Sequence, residues 1–252
     1  MHETKQMDNA RRRALARRVL EGYVSGPAAA TEATVRALAK LTDAKAVVLV
    51  EGISDQIALE TVAVRRDLDL AAERVVVLPI GGANAITRFL TRLGPGGADL
   101  TLAGLCDVGE EDVFRRGIAR SGIEWPQTRA DLERLGFYVC VEDLEDELIR
   151  ANGAAEVEAV FESQGDLGSF RSMQRQPQWR GQPIEAQLRR FLASGSRRKL
   201  RYARLLVESL ELDRLPRPLD AVLAVCQLSP GRPAEVRERR TRMETSQRRG
   251  ES

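Results

Sequence analysis

Several acidic residues of this sequence follow short apolar segments, and their types and positions are those of a metal site. The segments are 46–50, 100–106 and 137–141. The acids that follow them are Glu51, Asp55, Asp107, Glu142 and Glu145. Carboxylates gathered in one place repel one another unless a cation neutralises them, and their hard oxygens suit Mg²⁺ or Mn²⁺. Such an ion polarises a phosphoryl oxygen and activates a water, so the pattern predicts metal-assisted phosphodiester chemistry.

Histidine and cysteine usage narrows the chemistry further. The chain contains one histidine, His2, whereas serine–histidine triads, zinc hydrolases and histidine-metal nucleases all need a well-placed imidazole. These classes are therefore not expected, and carboxylates, lysine and metal must carry any catalysis. The three cysteines, Cys106, Cys140 and Cys226, lack the paired spacing of zinc or redox motifs, and we predict buried, reduced thiols.

Composition places the chain among ordinary globular proteins, and we expect it in the cytoplasm. Hydrophobic residues make up 43% of it and charged residues 30%, and no segment approaches the roughly 18 apolar residues that a membrane span needs. The arginines near the start have no apolar run behind them, so a secretory signal peptide is not expected. The arginine-rich tail 231–252 is either a solvated, disordered segment or a nonspecific phosphate-binding arm.

The elements that must position the acids alternate between apolar runs and amphipathic stretches. Strands are predicted at 46–50, 75–80, 100–106 and 137–141, and helices at 56–66, 84–93, 154–163, 184–192 and 198–212. Two more helices are predicted within 9–41, with a break at Gly26 and Pro27. Apolar strands separated by helices indicate an α/β fold, in which helices cover both faces of a parallel sheet.

This pattern divides the chain into four segments. We predict an N-terminal helical extension over 1–42, an α/β domain over 43–153, a C-terminal helical region over 154–228 and a basic, disordered tail over 229–252. Right-handed crossovers place the carboxyl ends of parallel strands along one edge of the sheet, where ligands bind. The acids that follow the strands are therefore predicted to converge at that edge.

Glycines beside these acids favour tight turns between strands and helices. A helix amino terminus that follows such a turn can receive a phosphate. The glycines are Gly52, Gly81 and Gly82. The glycines and acids named above also have purely structural interpretations. Ser54, Asp55 and Asp107 are typical helix caps, and the acids of 142–147 are typical of a helix start. Gly81 and Gly82 are typical of a plain turn.

One motif resembles a known family. Residues 48–55 read VLVEGISD and, with Asp107, resemble the TOPRIM domain shared by topoisomerases, bacterial primases and the overcoming lysogenisation defect (OLD) nucleases. The VEGxSD form, a glycine-containing loop at 78–83, the acidic segment 142–147 and Lys199 in a later helix are most similar to OLD. Over residues 44–212 the resemblance implies a TOPRIM-like Rossmannoid fold: a parallel four-stranded sheet flanked by helices, with added N-terminal and C-terminal helices.

The resemblance also implies roles for individual residues. The implied metal ligands are Glu51, Asp55 and Asp107, with Glu142 or Glu145 serving a second ion. Alternatively, Glu51 would act as the general base. Lys199 would stabilise charge that builds on the phosphate. The other interpretation of Lys199 is a surface lysine in an arginine-rich helix. The expected phosphate or nucleic-acid contacts are Gly52, Gly81, Gly82 and Arg198. The implied cofactor is one or two Mg²⁺ or Mn²⁺ ions.

The chain departs from the family pattern in two respects. The usual third motif is DxD, but Gly109 replaces its second acid, and Glu110 and Glu111 come next. Either a neighbouring glutamate or a water fills that position, or the metal binds too weakly for turnover. No G-x-x-x-x-G-K-[ST] phosphate loop is present, so any use of ATP would need a separate ATPase partner.

The expected function is a stand-alone OLD-like nuclease that cuts DNA in repair or in defence. The expected partners are nucleic acid, with DNA first, a separate ATPase subunit and a second copy of the chain, but no membrane. The alternative function is a metal-binding or nucleic-acid-binding module that lacks catalysis and acts with an ATPase. An RNA-directed TOPRIM nuclease is the third interpretation.

Overall fold

The computed structural model describes residues 29–228 of the chain, with side chains through residue 225. The predicted helix before Gly26, the break at Gly26 and Pro27 and the basic tail lie outside these residues. Within the described residues, every helix is too short or too polar to cross a membrane. Cys106 and Cys140 are buried free thiols, as predicted, whereas the side chain of Cys226 lies outside the described set.

Four parallel strands form the central sheet, in the order β2-β1-β3-β4. The strands are β1 (Ala46–Val50), β2 (Val75–Pro79), β3 (Thr101–Cys106) and β4 (Phe137–Val139). The α/β fold class is confirmed, and β1 has its predicted bounds. Strand β4 ends before the predicted residue 141 because the Val141 N–H turns away from the ladder and donates to Glu147 Oε1 at 2.8 Å.

Alternate residues of β1 enter two separate hydrophobic clusters on opposite faces of the sheet. Val47 and Leu49 pack in one cluster, and Val48 and Val50 pack in the other. All four side chains are fully buried, as expected for a central parallel strand that helices cover on both faces. The strand therefore ends in a fixed orientation, which determines where Glu51 emerges.

Helices follow the strands and fill both faces of the sheet. They are α1 (Ala29–Ala39), α2 (Ile53–Arg65), α3 (Ile86–Leu93), α4 (Glu111–Arg120), α5 (Arg129–Arg134), α6 (Leu144–Asn152), α7 (Ala154–Ser163), α8 (Leu167–Gln174), α9 (Ile184–Leu192), α10 (Ser196–Ser209) and α11 (Arg217–Leu228). Helix α2 begins three residues before the predicted 56, because Gly52 is its N-cap and Asp55 accepts the Gly52 N–H. Pro216 lies between α10 and α11, and Pro218 lies in the first turn of α11, where proline is tolerated.

The C-terminal helices share a core with one face of the sheet. Phe161, Phe170, Phe191 and Tyr202 of α7 to α10 are buried in the same cluster as Val48 and residues of α2. Their rings meet edge-on or tilted, with centroid separations of 4.9–5.3 Å around Phe161. This packing holds α10 against α2, which itself covers β1 and β2, and so determines where Lys199 lies.

Candidate metal centre

A pocket of about 200 Å³ lies at the carboxyl edge of the sheet. Its polar lining comes from the ends of β1 and β3 and from α2, α6 and α10. The residues that carry charge in this lining are Glu51, Asp55, Asp107, Glu145 and Lys199. The structure therefore brings together five of the residues that the sequence predicted for the site.

Glu51 connects the ends of two neighbouring strands. It follows β1, and its Oε1 accepts the backbone N–H of Asp107, which follows β3, at 3.3 Å. Burial raises the pKa of Glu51, and the negative charges of Asp55 and Glu110 raise it further. The N–H of Asp107 and the ammonium of Lys199 act in the opposite direction. Glu51 therefore holds a proton more readily than an ordinary glutamate.

Asp55 belongs both to the pocket and to the start of α2. Its Oδ2 accepts the Gly52 N–H at 2.9 Å, which orients the carboxylate at the first turn of the helix. Burial raises the pKa of Asp55, although the Gly52 N–H and the Lys199 charge counteract this shift. The capping interaction and a role in the pocket therefore coexist in one side chain.

Asp107 is a strongly perturbed carboxyl group of the pocket. Burial, followed by the charges of Asp55 and Glu51, raises its pKa from 3.8 to about 8. Its side chain makes no capping hydrogen bond to the turn that follows, so the structural interpretation of Asp107 as a helix cap does not hold. A carboxylate that is half-buried among other acids is a functional-site candidate on physical grounds.

Lys199 is the only positive charge in the pocket lining. It projects from α10, and its Nζ lies 3.3 Å from Oε2 of the buried Glu145 of α6. Burial alone would lower the pKa of Lys199, but the charges of Glu145 and Asp55 outweigh burial, and the pKa is raised. Burial likewise raises the pKa of Glu145, and Lys199 opposes that shift. The lysine is therefore a pocket residue, whereas the alternative placed it on the surface.

Three predicted residues lie outside this pocket. The exposed Glu142 points toward Arg189, 3.6 Å from Nη1, and contributes only its carbonyl, which accepts the Val108 N–H. Arg198 stacks over the Phe191 ring at 4.1 Å and bonds to Ser194, because it leaves α10 on a different side from Lys199. Gly81 sits in the turn behind Glu51 and does not reach the lining.

The predicted phosphate contacts through glycine amides also need correction. The N–H groups of Gly81 and Gly82 both donate to the Glu51 carbonyl, at 3.1 and 3.0 Å, and the Gly52 N–H donates to Asp55. These amides are already satisfied, so they are not offered to a phosphate. The positive φ of Gly82, 107°, shows why glycine is needed there: the chain turns back onto Glu51 in a conformation that side chains disfavour.

Sequence reasoning missed the ion pair that supports the far side of the pocket. Asp143 caps α6 by accepting the Asp146 N–H at 2.8 Å, and its other oxygen lies 2.7 Å from Arg189 of α9. This pair fixes the start of α6, from which Glu145 enters the pocket. The acidic run 142–147 gave a signal for Asp143, but Arg189 is placed by packing between distant helices and left no local signal.

A larger cleft, of about 460 Å³, lies beside β4, but its chemistry is different. Both glutamates of its lining pair with arginines: Glu133 with Arg217 at 2.5 Å and Glu147 with Arg150 at 2.8 Å. Because the acids of this cleft are neutralised, the smaller pocket remains the candidate for metal chemistry.

The donors of the pocket suit a hard divalent cation. They are all carboxylate oxygens, and four acids face a single ammonium, so the pocket carries an excess of negative charge. Within residues 29–228, no three acid, thiol or imidazole side chains converge with the geometry of a formed metal site. Glu51 and Asp55 instead accept neighbouring N–H groups and Glu145 faces Lys199, so an ion would have to draw these side chains inward.

The parallel sheet, with a glutamate after its first strand and an aspartate after its third, resembles a TOPRIM-type α/β domain. Residues 44–96 match the family model described as "Overcoming lysogenization defect protein-like, TOPRIM domain". The resemblance expected from the VEGxSD motif is therefore confirmed over that segment.

Solved structures extend the likeness of the fold. The C-terminal region of the Xanthomonas campestris pv. campestris OLD protein is similar with a TM-score of 0.57 and 24% identity, over 74% of this chain and 94% of that structure. The C-terminal region of the Burkholderia pseudomallei OLD protein is similar with a TM-score of 0.53 and 20% identity, over 73% of this chain and 97% of that structure. No curated protein matches the chain. The expected fold, with helices added to the TOPRIM-like sheet, is thus confirmed.

Proposed function

We propose that this chain is a metal-dependent nuclease of the OLD-like TOPRIM type, which cleaves DNA phosphodiester bonds with Mg²⁺ or Mn²⁺. The observation that carries the proposal is the meeting of Glu51, Asp55 and Asp107 in one pocket, although they come from three different elements. The family match over residues 44–96 supports the same chemistry.

The acids of the pocket would hold the cation, and their excess charge is what it would neutralise. Glu51, Asp55 and Asp107 are the first ligands, and Glu145 lies beside them for a second ion. A bound ion would supply polarisation of the phosphoryl oxygen and acidify the attacking water. Alternatively, Glu51 would act as the general base that takes the proton of that water, and Asp55 and Asp107 would then hold the cation.

Lys199 would stabilise the negative charge that develops on the phosphate. Its ammonium already lies in the pocket, held by Glu145 and by the packing of α10. A fixed cation aimed at developing charge in a partly buried site needs little reorganisation during the reaction. The C-terminal helical region thus contributes directly to the chemistry of the sheet edge.

The proposed partners are DNA, a separate ATPase subunit and a second copy of the chain. Trp125, whose side chain is 67% exposed, is a candidate for stacking on bases.

The direct test is nicking of supercoiled plasmid with Mn²⁺ and with Mg²⁺, with structured RNA in parallel. We expect nicking by the wild type, loss of nicking by Glu51→Gln and unchanged nicking by Asp112→Asn, which removes the same charge at an exposed position of α4. Equal nicking by the wild type and Glu51→Gln would contradict the proposal. Cleavage of RNA alone would reassign the substrate.

The second candidate is a TOPRIM module that binds metal and nucleic acid without cleaving it. Gly109 in place of an acid of the third motif favours this candidate. This candidate predicts DNA binding that persists in Asp107→Ala and no nicking by the wild type with either ion.

A further inference from the structure

The third motif lacks an acid at position 109, yet the backbone there does not require glycine. A Cβ built on Gly109 would meet nothing within 4 Å, and its φ lies outside the region that favours glycine. Gly109 is also exposed. Neither crowding nor backbone strain requires a glycine at position 109. The fold therefore does not account for the missing acid, and another side chain can supply the carboxylate without a steric penalty.

A turn immediately after Asp107 brings the next acid back toward the site. Residues Val108–Glu110 form a 3₁₀ turn, in which the Glu110 N–H donates to the Asp107 carbonyl at 3.0 Å. Because a 3₁₀ turn has three residues per turn, residue 110 lies over residue 107, whereas residue 109 faces away. The turn therefore places a glutamate on the side of Asp107 where an extended DxD segment would place its second aspartate.

Glu110 is also electrostatically close to the pocket. Its charge raises the pKa of Glu51, after burial and after Asp55 among the causes that raise it. Glu110 is half-buried, and no hydrogen bond or ion pair of its carboxylate occurs within residues 29–228. The carboxylate therefore lies near Glu51 without a cation of its own.

Glu111, the other glutamate of the segment, is committed to different partners. Its Oε2 lies 2.8 Å from Arg129 Nε, and its Oε1 bonds to Arg115. These bonds join α4 to α5 and lower the pKa of Glu111, despite an opposing contribution from burial. Glu110 does not itself line the pocket, but of the two glutamates after Gly109 it is the one whose carboxylate is not held by an arginine in the described residues.

We propose that Glu110 supplies the metal-binding carboxylate of the third motif in place of the acid missing at Gly109. This inference rests on the proposed metal-dependent function and names the third-strand ligands of that site as Asp107 and Glu110. It also explains how a DVGE segment can replace DxD: one more residue is accommodated by one turn of 3₁₀ helix.

The test measures Mn²⁺ affinity of the full chain by isothermal titration calorimetry, without reference to activity. We expect Glu110→Gln to weaken Mn²⁺ binding about tenfold or more. Asp112→Asn, the matched control, loses the same charge two residues later at an exposed site and should stay within about twofold. Glu110→Asp keeps a carboxylate at position 110, and we expect it to retain most of the affinity.

The outcomes separate this inference from the proposed function. Loss of Mn²⁺ binding in Glu51→Gln with no change in Glu110→Gln would keep the metal site and overturn the role of Glu110. Equal weakening in Glu110→Gln and Asp112→Asn, or as large a loss of affinity in Glu110→Asp as in Glu110→Gln, would also overturn that role. Absence of Mn²⁺ binding by the wild type would overturn both proposals together.

Discussion

The fold contains two neighbouring clusters of acids, which differ in how their negative charge is balanced. The helix-start cluster consists of Asp143, Asp146 and Glu147, and each member contacts an arginine at 2.7–2.8 Å. The strand-end cluster consists of Glu51, Asp55, Asp107 and Glu145, and these four acids share the single ammonium of Lys199.

This difference separates acids that hold the fold together from acids that are available for chemistry. Arginine forms directed bonds with a carboxylate and stays charged, so the helix-start cluster is neutralised within the protein. In the strand-end cluster, burial and mutual repulsion raise the pKa of Glu51, Asp55 and Asp107. Such uncompensated charge destabilises the folded chain and favours the binding of a cation.

Replacing Lys199 should produce the largest effect, because it removes the only positive charge of the strand-end cluster. We expect Lys199→Met to lower the single-turnover rate of DNA cleavage about 100-fold or more, since stabilisation of the transition-state charge is lost. Affinity for Mn²⁺ should not fall, because an ammonium that competes for the acids is gone. Lys45→Met, at the exposed amino-terminal end of β1, is the matched control. An unchanged cleavage rate in Lys199→Met would show that Lys199 takes no part in cleavage.

Replacing Arg189 tests whether the helix-start cluster stabilises the folded chain. Arg189→Met leaves Asp143 at the start of α6 without its ion pair, and we expect the free energy of unfolding to fall by about 1–2 kcal/mol in urea titrations. The neighbouring, exposed Arg190→Met serves as the control and should change it by less than about 0.5 kcal/mol. Equal effects of both variants would show that the Arg189–Asp143 pair contributes nothing specific.

The pH dependence of stability should reveal the uncompensated acid. The folded chain keeps a proton on Asp107 up to its pKa of about 8, whereas the unfolded chain releases it near 3.8. The free energy of unfolding of the metal-free chain should therefore fall as the pH rises from about 4 to about 8. Asp107→Asn removes this loss, so we expect the metal-free variant to exceed the wild type by about 1 kcal/mol at pH 8 and to equal it near pH 3.5. A variant less stable at pH 8 would contradict the assigned repulsion.

The smallest effect is expected for an acid of the helix-start cluster that only pairs with an exposed arginine. Asp146 lies 2.7 Å from Arg150, whose side chain is 44% exposed. Asp146→Asn should lower the free energy of unfolding by about 0.5 kcal/mol and leave Mn²⁺ affinity unchanged. A loss of Mn²⁺ affinity in this variant would remove the distinction between the clusters.

The sequence predicted the sheet and the first residues of the site well, because both depend on local signals. Strand β1 is a run of five buried apolar residues, and Glu51 and Asp55 follow it in a recognisable motif. The acidic run 142–147 was ambiguous, since a parallel strand end and a helix start both attract acids there. Only the three-dimensional packing shows that Glu145 enters the pocket while Asp143 pairs with Arg189.

Other features depend on contacts between distant parts of the chain. Lys199 reaches the pocket because the aromatic cluster of α7 to α10 holds its helix against the sheet. Arg198, one residue earlier, leaves the same helix in another direction, and no local pattern separates the two. The role expected for the amides of Gly81 and Gly82 failed for a similar reason: the turn uses both N–H groups to bind the Glu51 carbonyl.

The measurement that tests the account most directly is anomalous scattering from a crystal soaked with Mn²⁺. The account predicts a Mn²⁺ peak in the strand-end pocket, with oxygens of Glu51 and Asp107 drawn to about 2.1 Å from it. Lys199 should be the only cationic side chain beside the peak. A soaked crystal with no Mn²⁺ between Glu51 and Asp107, or with Mn²⁺ bound at the helix-start cluster instead, would contradict the central claim.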